Sequence, residues 1–210
     1  MRLLPGADLA GRLSAGGLFV LAPGVHLGPL WIEQSVTLRG EPGAVLDGQF
    51  RGSVIRVEAD DLEVRLEGLT LKGGVAEVGG GVLLNGYSSV ILSECTVEGN
   101  AAPRNGGGGL YAARGNVRVL GCRFQRNVAR VGNDVLLSGV AEAVFEGSQL
   151  DGDVVVREGV RLVLRDCDIS GVLDLRGTTT RAPAIELDGA QVLGGVRNEG
   201  PRHATVTLLG

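Results

Sequence analysis

Apolar and polar residues alternate in short segments along most of the chain, and one pattern keeps returning. The alternation has the period of two that is typical of β-strands, whose successive side chains point to opposite faces. No segment between residues 17 and 210 keeps an apolar stripe at helical spacing for three turns, so the sequence predicts an all-β fold. The pattern is apolar–x–apolar–x–x–small–x–apolar, and it occurs as VRLEGLTL (64–71), VILSECTV (90–97), VRVLGCRF (117–124), AVFEGSQL (143–150), LVLRDCDI (162–169) and IELDGAQV (185–192).

The copies of this pattern mark a structural repeat. The residues at its small position are Leu69, Cys95, Cys122, Ser148, Cys167 and Ala190, at spacings of 26, 27, 26, 19 and 23 residues. A second apolar column follows the glycine runs, at Val54, Val82, Leu110, Val135, Val154, Val172 and Val196. Each repeat therefore holds three short strands. Such a unit buries its apolar face only when stacked on its neighbours, so we predict a parallel β-helix of about seven coils.

Two stretches resemble known families. GGLFVLAPGVHLGPLWIEQSVTLRGEPGAVLDG, at residues 16–48, resembles the first coil of pectate-lyase-like proteins. This resemblance covers residues 17–210 and implies one right-handed parallel β-helix over that range. A narrower resemblance covers about residues 80–137, where GGGV with VEGN, and GGGL with FQRN, are similar to the GGA-I/L/V and F-x-x-N repeats of polymorphic outer-membrane-protein passengers. Those passengers are adhesin-like, so the second resemblance implies a secreted adhesin.

The two ends of the predicted β-helix differ. Residues 1–16 form a predicted N-terminal cap, with a short helix near residues 7–15 that Asp8 begins as N-cap. The other end, PRHATVTLLG, shows no polar cap. Val206 and Leu208 are expected to belong to an eighth, incomplete coil. Because an open coil offers unpaired backbone groups and apolar side chains, we expect this end to contact a second copy or a protein partner.

Composition narrows the function classes. The chain has 36 glycines, 44% apolar residues and a net charge of −4, which argues against nucleic-acid binding. It has no run of eighteen apolar residues, so no membrane span is predicted. The three cysteines suit neither a disulfide framework nor a zinc site and are interpreted as buried thiols. We therefore expect a cytoplasmic protein without metal or cofactor, or else a secreted fragment that lacks its signal.

Four acids are the weak catalytic candidates if the protein is an enzyme. Asp166 and Asp188 are predicted to share one column, at the bend before the small position, and Asp168 follows that position in the same coil as Asp166. These three could lie near one another, with Glu146 one coil below. Such a group could pair a protonated carboxyl with an ionised one, or bind calcium, as in polysaccharide lyases and glycoside hydrolases of this fold. The other interpretation is turn chemistry, because bends favour acids and glycine. His26, in PGVHLG, is likewise expected to be a turn residue.

Arginines are concentrated in residues 101–130, which carry no acid. The predicted binding residues there are Arg114, Arg118, Arg123, Arg126 and Arg130. They would bind an anionic glycan or an acidic partner surface. Alternatively, neighbouring coils neutralise each other across the stack. The leading interpretation is a non-enzymatic scaffold or binding protein that contacts a protein or a glycan through a side face or its C-terminal end. A carbohydrate-active enzyme and an adhesin passenger remain alternatives.

Overall fold

The computed structural model describes residues 1–157, 159–177, 181–199 and 203–209. Within them the chain forms one short helix, α1 (Leu9–Leu13), and many short strands. The first half contains β1 (Arg2–Leu3), β2 (Gly17–Leu21), β3 (Gly24–Leu27), β4 (Leu30–Ile32), β5 (Val36–Gly40), β6 (Ala44–Asp47), β7 (Ile55–Val57), β8 (Glu63–Glu67), β9 (Thr70–Lys72), β10 (Val82–Leu84), β11 (Ser89–Ser93), β12 (Thr96–Glu98), β13 (Ala101–Gly106) and β14 (Leu110–Ala112). The second half contains β15 (Asn116–Leu120), β16 (Arg123–Gln125), β17 (Val128–Val131), β18 (Val135–Leu137), β19 (Glu142–Glu146), β20 (Gln149–Leu150), β21 (Val154–Arg157), β22 (Arg161–Arg165), β23 (Asp168–Ile169), β24 (Leu173–Arg176), β25 (Ala184–Asp188), β26 (Gln191–Val192), β27 (Val196–Asn198) and β28 (Thr205–Leu209).

These strands stack into three long parallel sheets, one strand per coil in each. Sheet A has ten strands, in the order β1-β2-β5-β8-β11-β15-β19-β22-β25-β28. Sheet B has eight, in the order β3-β6-β9-β12-β16-β20-β23-β26, and sheet C has eight, in the order β4-β7-β10-β14-β18-β21-β24-β27. The strands β13 and β17 form an additional parallel pair. The molecule is therefore a parallel β-solenoid of about seven turns, as the repeat predicted.

Equivalent residues of successive coils stack on one another inside the solenoid. Val90 of β11 is in register with Val117 of β15, and Leu92 with Val119, and all of them are buried. The second apolar column that the sequence predicted lies in sheet C, and five of its seven members are correct. Ile55 and Leu173, rather than Val54 and Val172, stand in register with its other members, so the predicted column was one residue early in both coils.

The small position between sheets A and B is buried in most coils, and the side chains of Cys122 and Ser148 accept hydrogen bonds there. The N–H of Cys95 donates to Sγ of Cys122 at 3.3 Å, and the N–H of Cys122 donates to Oγ of Ser148 at 3.1 Å. A small side chain with a lone pair thus satisfies a buried backbone donor of the coil before it. Cys95, Cys122 and Cys167 are all free and buried, as predicted. The Cys122 side chain, together with burial, raises the pKa of the Cys95 thiol well above its ordinary value.

The corner just before the small position uses left-handed backbone in coil after coil. Asp166 has φ 48° there and Glu94 has φ 53°. The same corner of other coils is occupied by glycine, which adopts this conformation without strain. These glycines are Gly68, Gly121, Gly147 and Gly189, all with positive φ.

The repeated asparagines form a polar ladder at the corner after sheet B. Nδ2 of Asn100 donates to Oδ1 of Asn127 at 3.1 Å, and Nδ2 of Asn127 donates to Oδ1 of Asp134 at 2.9 Å. Asp134 is buried, and its Oδ2 accepts the N–H of Gly152 at 2.6 Å. Burial raises the pKa of Asp134, although the hydrogen bonds from Asn127 and Gly152 act in the opposite direction. The repeated asparagines Asn100 and Asn127 therefore link successive coils through buried side-chain hydrogen bonds.

The N-terminal segment closes the first coil. The Asp8 side chain accepts the N–H of Gly11 at 3.1 Å and caps α1, as predicted. Leu9 and Leu13 of α1 are buried against the core. The interpretation of His26 as a turn residue was wrong. It is buried in β3, where its Nε2 lies 2.8 Å from the carbonyl oxygen of Ala22.

Candidate binding surfaces

The four acids predicted as weak catalytic candidates lie on the outside of the solenoid and are only partly brought together. Asp168 is exposed on β23, between Gln149 and Gln191 in the stack. Asp166 is exposed at its left-handed corner. Asp188 and Glu146 both stand in register with Arg165 rather than with Asp166.

Arg165 therefore separates two of these carboxylates in the stack of sheet A. Its Nε lies 4.0 Å from Oδ2 of Asp188. The prediction that Asp166 and Asp188 share one column was wrong, because Asp166 occupies the corner that follows the strand. Across the part of the chain that the structure describes, no group of three or more histidine, cysteine or acidic side chains is arranged to hold a metal ion.

The five predicted binding arginines surround the axis instead of sharing one face. Arg114 stacks on Tyr87, with its guanidinium carbon 5.5 Å from the ring centroid. Arg118 extends outward from sheet A, between the buried residues of β15. Arg123 and Arg126 lie at sheet B and the corner that follows it, and Arg130 lies on β17. A single flat ligand surface cannot contact all five.

Several of the outward arginines are paired with acids of an adjacent coil. Arg126 pairs with Glu98, and Nη2 of Arg123 lies 3.7 Å from Oδ2 of Asp151. In sheet A, the Nη atoms of Arg161 lie within 3.4 Å of carboxylate oxygens on both neighbouring coils. These contacts agree with the alternative interpretation, in which neighbouring coils neutralise each other. Because the pairs are exposed, each stabilises the fold by only about 0.2–1 kcal/mol.

Arginines from distant parts of the chain line one hollow that the sequence reasoning missed. The hollow has a volume of about 460 Å³ on the outer side of sheet C. Arg104, Arg130 and Arg157 line it together with Tyr111. One sequence signal could have placed Arg157 at this hollow. It directly follows the apolar sheet C segment VVV, at residues 154–156, in the shortest repeat.

The C-terminal coil leaves its inner side chains uncovered. Val206 and Leu208 of β28 are in register with Ile185 and Leu187 of β25. Ile185 and Leu187 are 2% and 7% exposed, whereas Val206 and Leu208 are 36% and 75% exposed. Val196 of β27 is also exposed. Within the described residues, β28 is the last strand of sheet A and has no strand on its outer side.

Comparisons with known proteins give a local likeness. No family model matches the chain. No solved structure matches it. Among curated proteins, metabotropic glutamate receptor-like protein R of Dictyostelium discoideum is 31% identical to it over 90 residues. That segment is 42% of this chain and 6% of the receptor-like protein, so the chain spans a small fraction of that relative's length. Over residues 1–157, 159–177, 181–199 and 203–209, no helix is long and apolar enough to cross a membrane.

Proposed function

We propose that this protein is a non-enzymatic binding scaffold of the β-solenoid type, which assembles through its C-terminal coil with a second copy of itself. The observation that carries the proposal is the exposure of Val206 and Leu208 at positions that are buried in the preceding coil. Water excluded from these apolar side chains on association provides the driving force.

The sequence of β28 favours a second copy as the occupant. The strand reads TVTLL and contains no charged residue, although charges are the usual protection of an exposed strand edge. Antiparallel pairing with a second β28, centred on Thr207, sets Val206 opposite Leu208 of the partner subunit on the inner side. The contact is isologous, as two-fold symmetry requires.

The other end of the solenoid supports this choice. There α1 covers the first coil with Leu9 and Leu13, and β1 pairs with β2 in sheet A. A head-to-tail stack would need two open ends. The described chain offers one, so a closed dimer is favoured over a fibre.

The arrangement of the acids favours binding over catalysis. Asp166 is at a backbone corner, Asp188 is beside Arg165, and Asp168 is flanked by two glutamines in its column. Enzymes that cleave sugars with two carboxylates hold them at a fixed separation around the scissile bond. The outward positions of these side chains support a structural or solvent-facing role for the acids.

Sedimentation velocity of the wild-type protein from low to high micromolar concentration tests the proposal. A dimer is expected at high concentration, and a monomer is expected for Leu208→Lys, because a charge at this exposed position opposes apolar contact between two β28 strands. Leu18→Lys, at an exposed position of β2 near the other end, is the matched control and should dimerise like the wild type. A wild-type monomer throughout, or a dimer that survives Leu208→Lys, would refute the proposal.

A further inference from the structure

The hollow on sheet C lies where long coils give way to short ones. In two successive coils the chain makes an extra strand between sheets B and C, and these strands, β13 and β17, pair with each other. In the next coil only residues 151–153 separate β20 from β21, so that coil has no such strand. The β13–β17 pair therefore has no strand beside β17 in the next coil, and the hollow lies beside β17 where that strand is missing.

The floor of the hollow is apolar with one aromatic ring. Tyr111 of β14 and Leu136 of β18 are adjacent in register and point outward from sheet C. Gly106 at the end of β13 packs directly on Leu136, since a Cβ at this position would lie 2.5 Å from Cδ2 of Leu136. Val78 and Val131 complete the apolar part of the lining.

The rim is cationic. Arg104 comes from β13, Arg130 from β17 and Arg157 from the end of β21, so three coils contribute one guanidinium each. Nη1 of Arg104 lies 3.0 Å from Oε1 of Glu77. Arg130 and Arg157 form no ion pair or hydrogen bond with any residue that the structure describes, and no carboxylate lines the hollow there.

The unpaired positive charge of this hollow does not continue into the neighbouring hollow of sheet C. Arg130 and Val131 also line a smaller hollow of about 240 Å³ further along sheet C, where Arg176 and Arg197 lie. Those two arginines lie beside the buried Asp174, with their Nη atoms 2.6 and 3.9 Å from its Oδ2. A continuous basic track, which a long polyanion would need, is therefore interrupted.

We propose that the hollow binds a compact organic polyanion, a small molecule with at least two carboxylate or phosphate groups. Guanidinium groups bind both kinds of anionic oxygen in bidentate geometry, and Arg130 and Arg157 are available to do so. The amide of Asn105 and the hydroxyl of Tyr111 supply further donors, and the apolar floor packs against the body of the ligand. The volume lies in the range of small-molecule sites. This site is separate from the C-terminal coil and does not depend on the proposed dimer.

Isothermal titration calorimetry of the full chain with citrate and with pyrophosphate tests the site and distinguishes the two anionic chemistries. One-to-one binding of at least one of them is expected at low salt. Each of Arg130→Ala and Arg157→Ala is expected to weaken it roughly tenfold, the value of one lost charge-assisted hydrogen bond. Glu77→Gln, which releases Arg104 from its partner, is expected to strengthen binding.

Arg118→Ala is the matched control. Arg118 lies on β15 and faces outward from sheet A, away from the hollow, and within the described residues no ion pair involves it. It should bind both anions as the wild type does. Circular dichroism of each variant confirms that the β-solenoid is intact. The proposal is overturned if neither anion binds the wild type, or if Arg118→Ala weakens binding as much as Arg130→Ala.

Discussion

The backbone N–H of Cys95 donates a hydrogen bond to the sulfur of Cys122 in the next coil, at 3.3 Å. Both residues are buried, so the sulfur is the acceptor that keeps this donor satisfied out of water. The Oγ of Ser148 does the same for the N–H of Cys122. The buried stack of small side chains between sheets A and B is therefore held by hydrogen bonds as well as by apolar contacts.

Loss of the acceptor at position 122 is expected to destabilise the fold. Cys122→Ala leaves the N–H of Cys95 buried and unpaired, which costs about 1–3 kcal/mol of unfolding free energy. Cys122→Ser keeps an acceptor, as Ser148 shows in the next coil, and is expected to cost less. Urea unfolding of the two variants gives the comparison. Equal stabilities would show that the sulfur serves only as a space-filling group.

The three thiols are expected to resist labelling in the native protein. Burial raises the pKa of Cys167, and the Cys122 side chain together with burial raises the pKa of Cys95, so these two thiols hold little thiolate at neutral pH. The hydrogen bond with the Cys95 side chain lowers the pKa of Cys122, so the resistance of Cys122 rests on its burial. A disulfide-exchange reagent should therefore react with them only at the rate at which the solenoid opens. Labelling in urea, where all three react, is the control. Rapid native labelling of Cys122 would contradict its inward position.

Much of the fold could be predicted because stacking repeats itself in sequence. Like residues recur at coil spacing when they share a column, and Val90 with Val117 is a direct instance. The errors fall where strands end. Val54 precedes the true column member by one residue, and Asp166 belongs to a corner, because alternation of period two stops where the backbone turns.

The surfaces were harder to predict than the core. The hollow on sheet C depends on a change in coil length, and it unites Arg104 and Arg157 from separate repeats. Adjacency in sequence grouped Arg130, which lines the hollow, with Arg114 and Arg118, which the structure places on other sides. The burial of His26 followed from its inward register with Leu46, which the turn-like residues around it concealed.

The stability of the solenoid is expected to fall with rising pH through the titration of Asp134. Burial raises its pKa in the folded state, so the folded state holds the proton more tightly than the unfolded chain. The contribution to unfolding free energy is unchanged below the ordinary Asp value of about 3.8, decreases above it, and levels off above the raised folded pKa.

Asp134→Asn removes this titration and isolates the effect of the carboxyl group. The difference in unfolding free energy, wild type minus variant, should decrease as pH rises above about 4. Urea unfolding of both proteins at a series of pH values measures it. A difference that increases with pH would mean that the hydrogen bonds from Asn127 and Gly152 outweigh burial.

The left-handed corner gives a prediction about backbone strain. Glu94 adopts φ 53° at a position where other coils have glycine, and a residue with a Cβ loses roughly 1–2 kcal/mol in this conformation. Glycine at this position relieves that strain, but it costs about 0.5–1 kcal/mol in chain entropy on folding. Glu94→Gly should therefore raise the unfolding free energy by up to about 1 kcal/mol. Asp166→Gly should raise it less, because aspartate tolerates the left-handed region better.

The reverse change at the same corner is the control. Gly147 has φ 56°, and a Cβ there would meet no atom within 4 Å, so Gly147→Ala changes only the backbone preference. It should lower the unfolding free energy by about 1 kcal/mol, opposite in sign to Glu94→Gly. Urea unfolding at one pH compares all three variants. If Glu94→Gly destabilises the protein while Gly147→Ala is neutral, the corner is not strained, and the side chain of Glu94 contributes a contact that offsets its conformation.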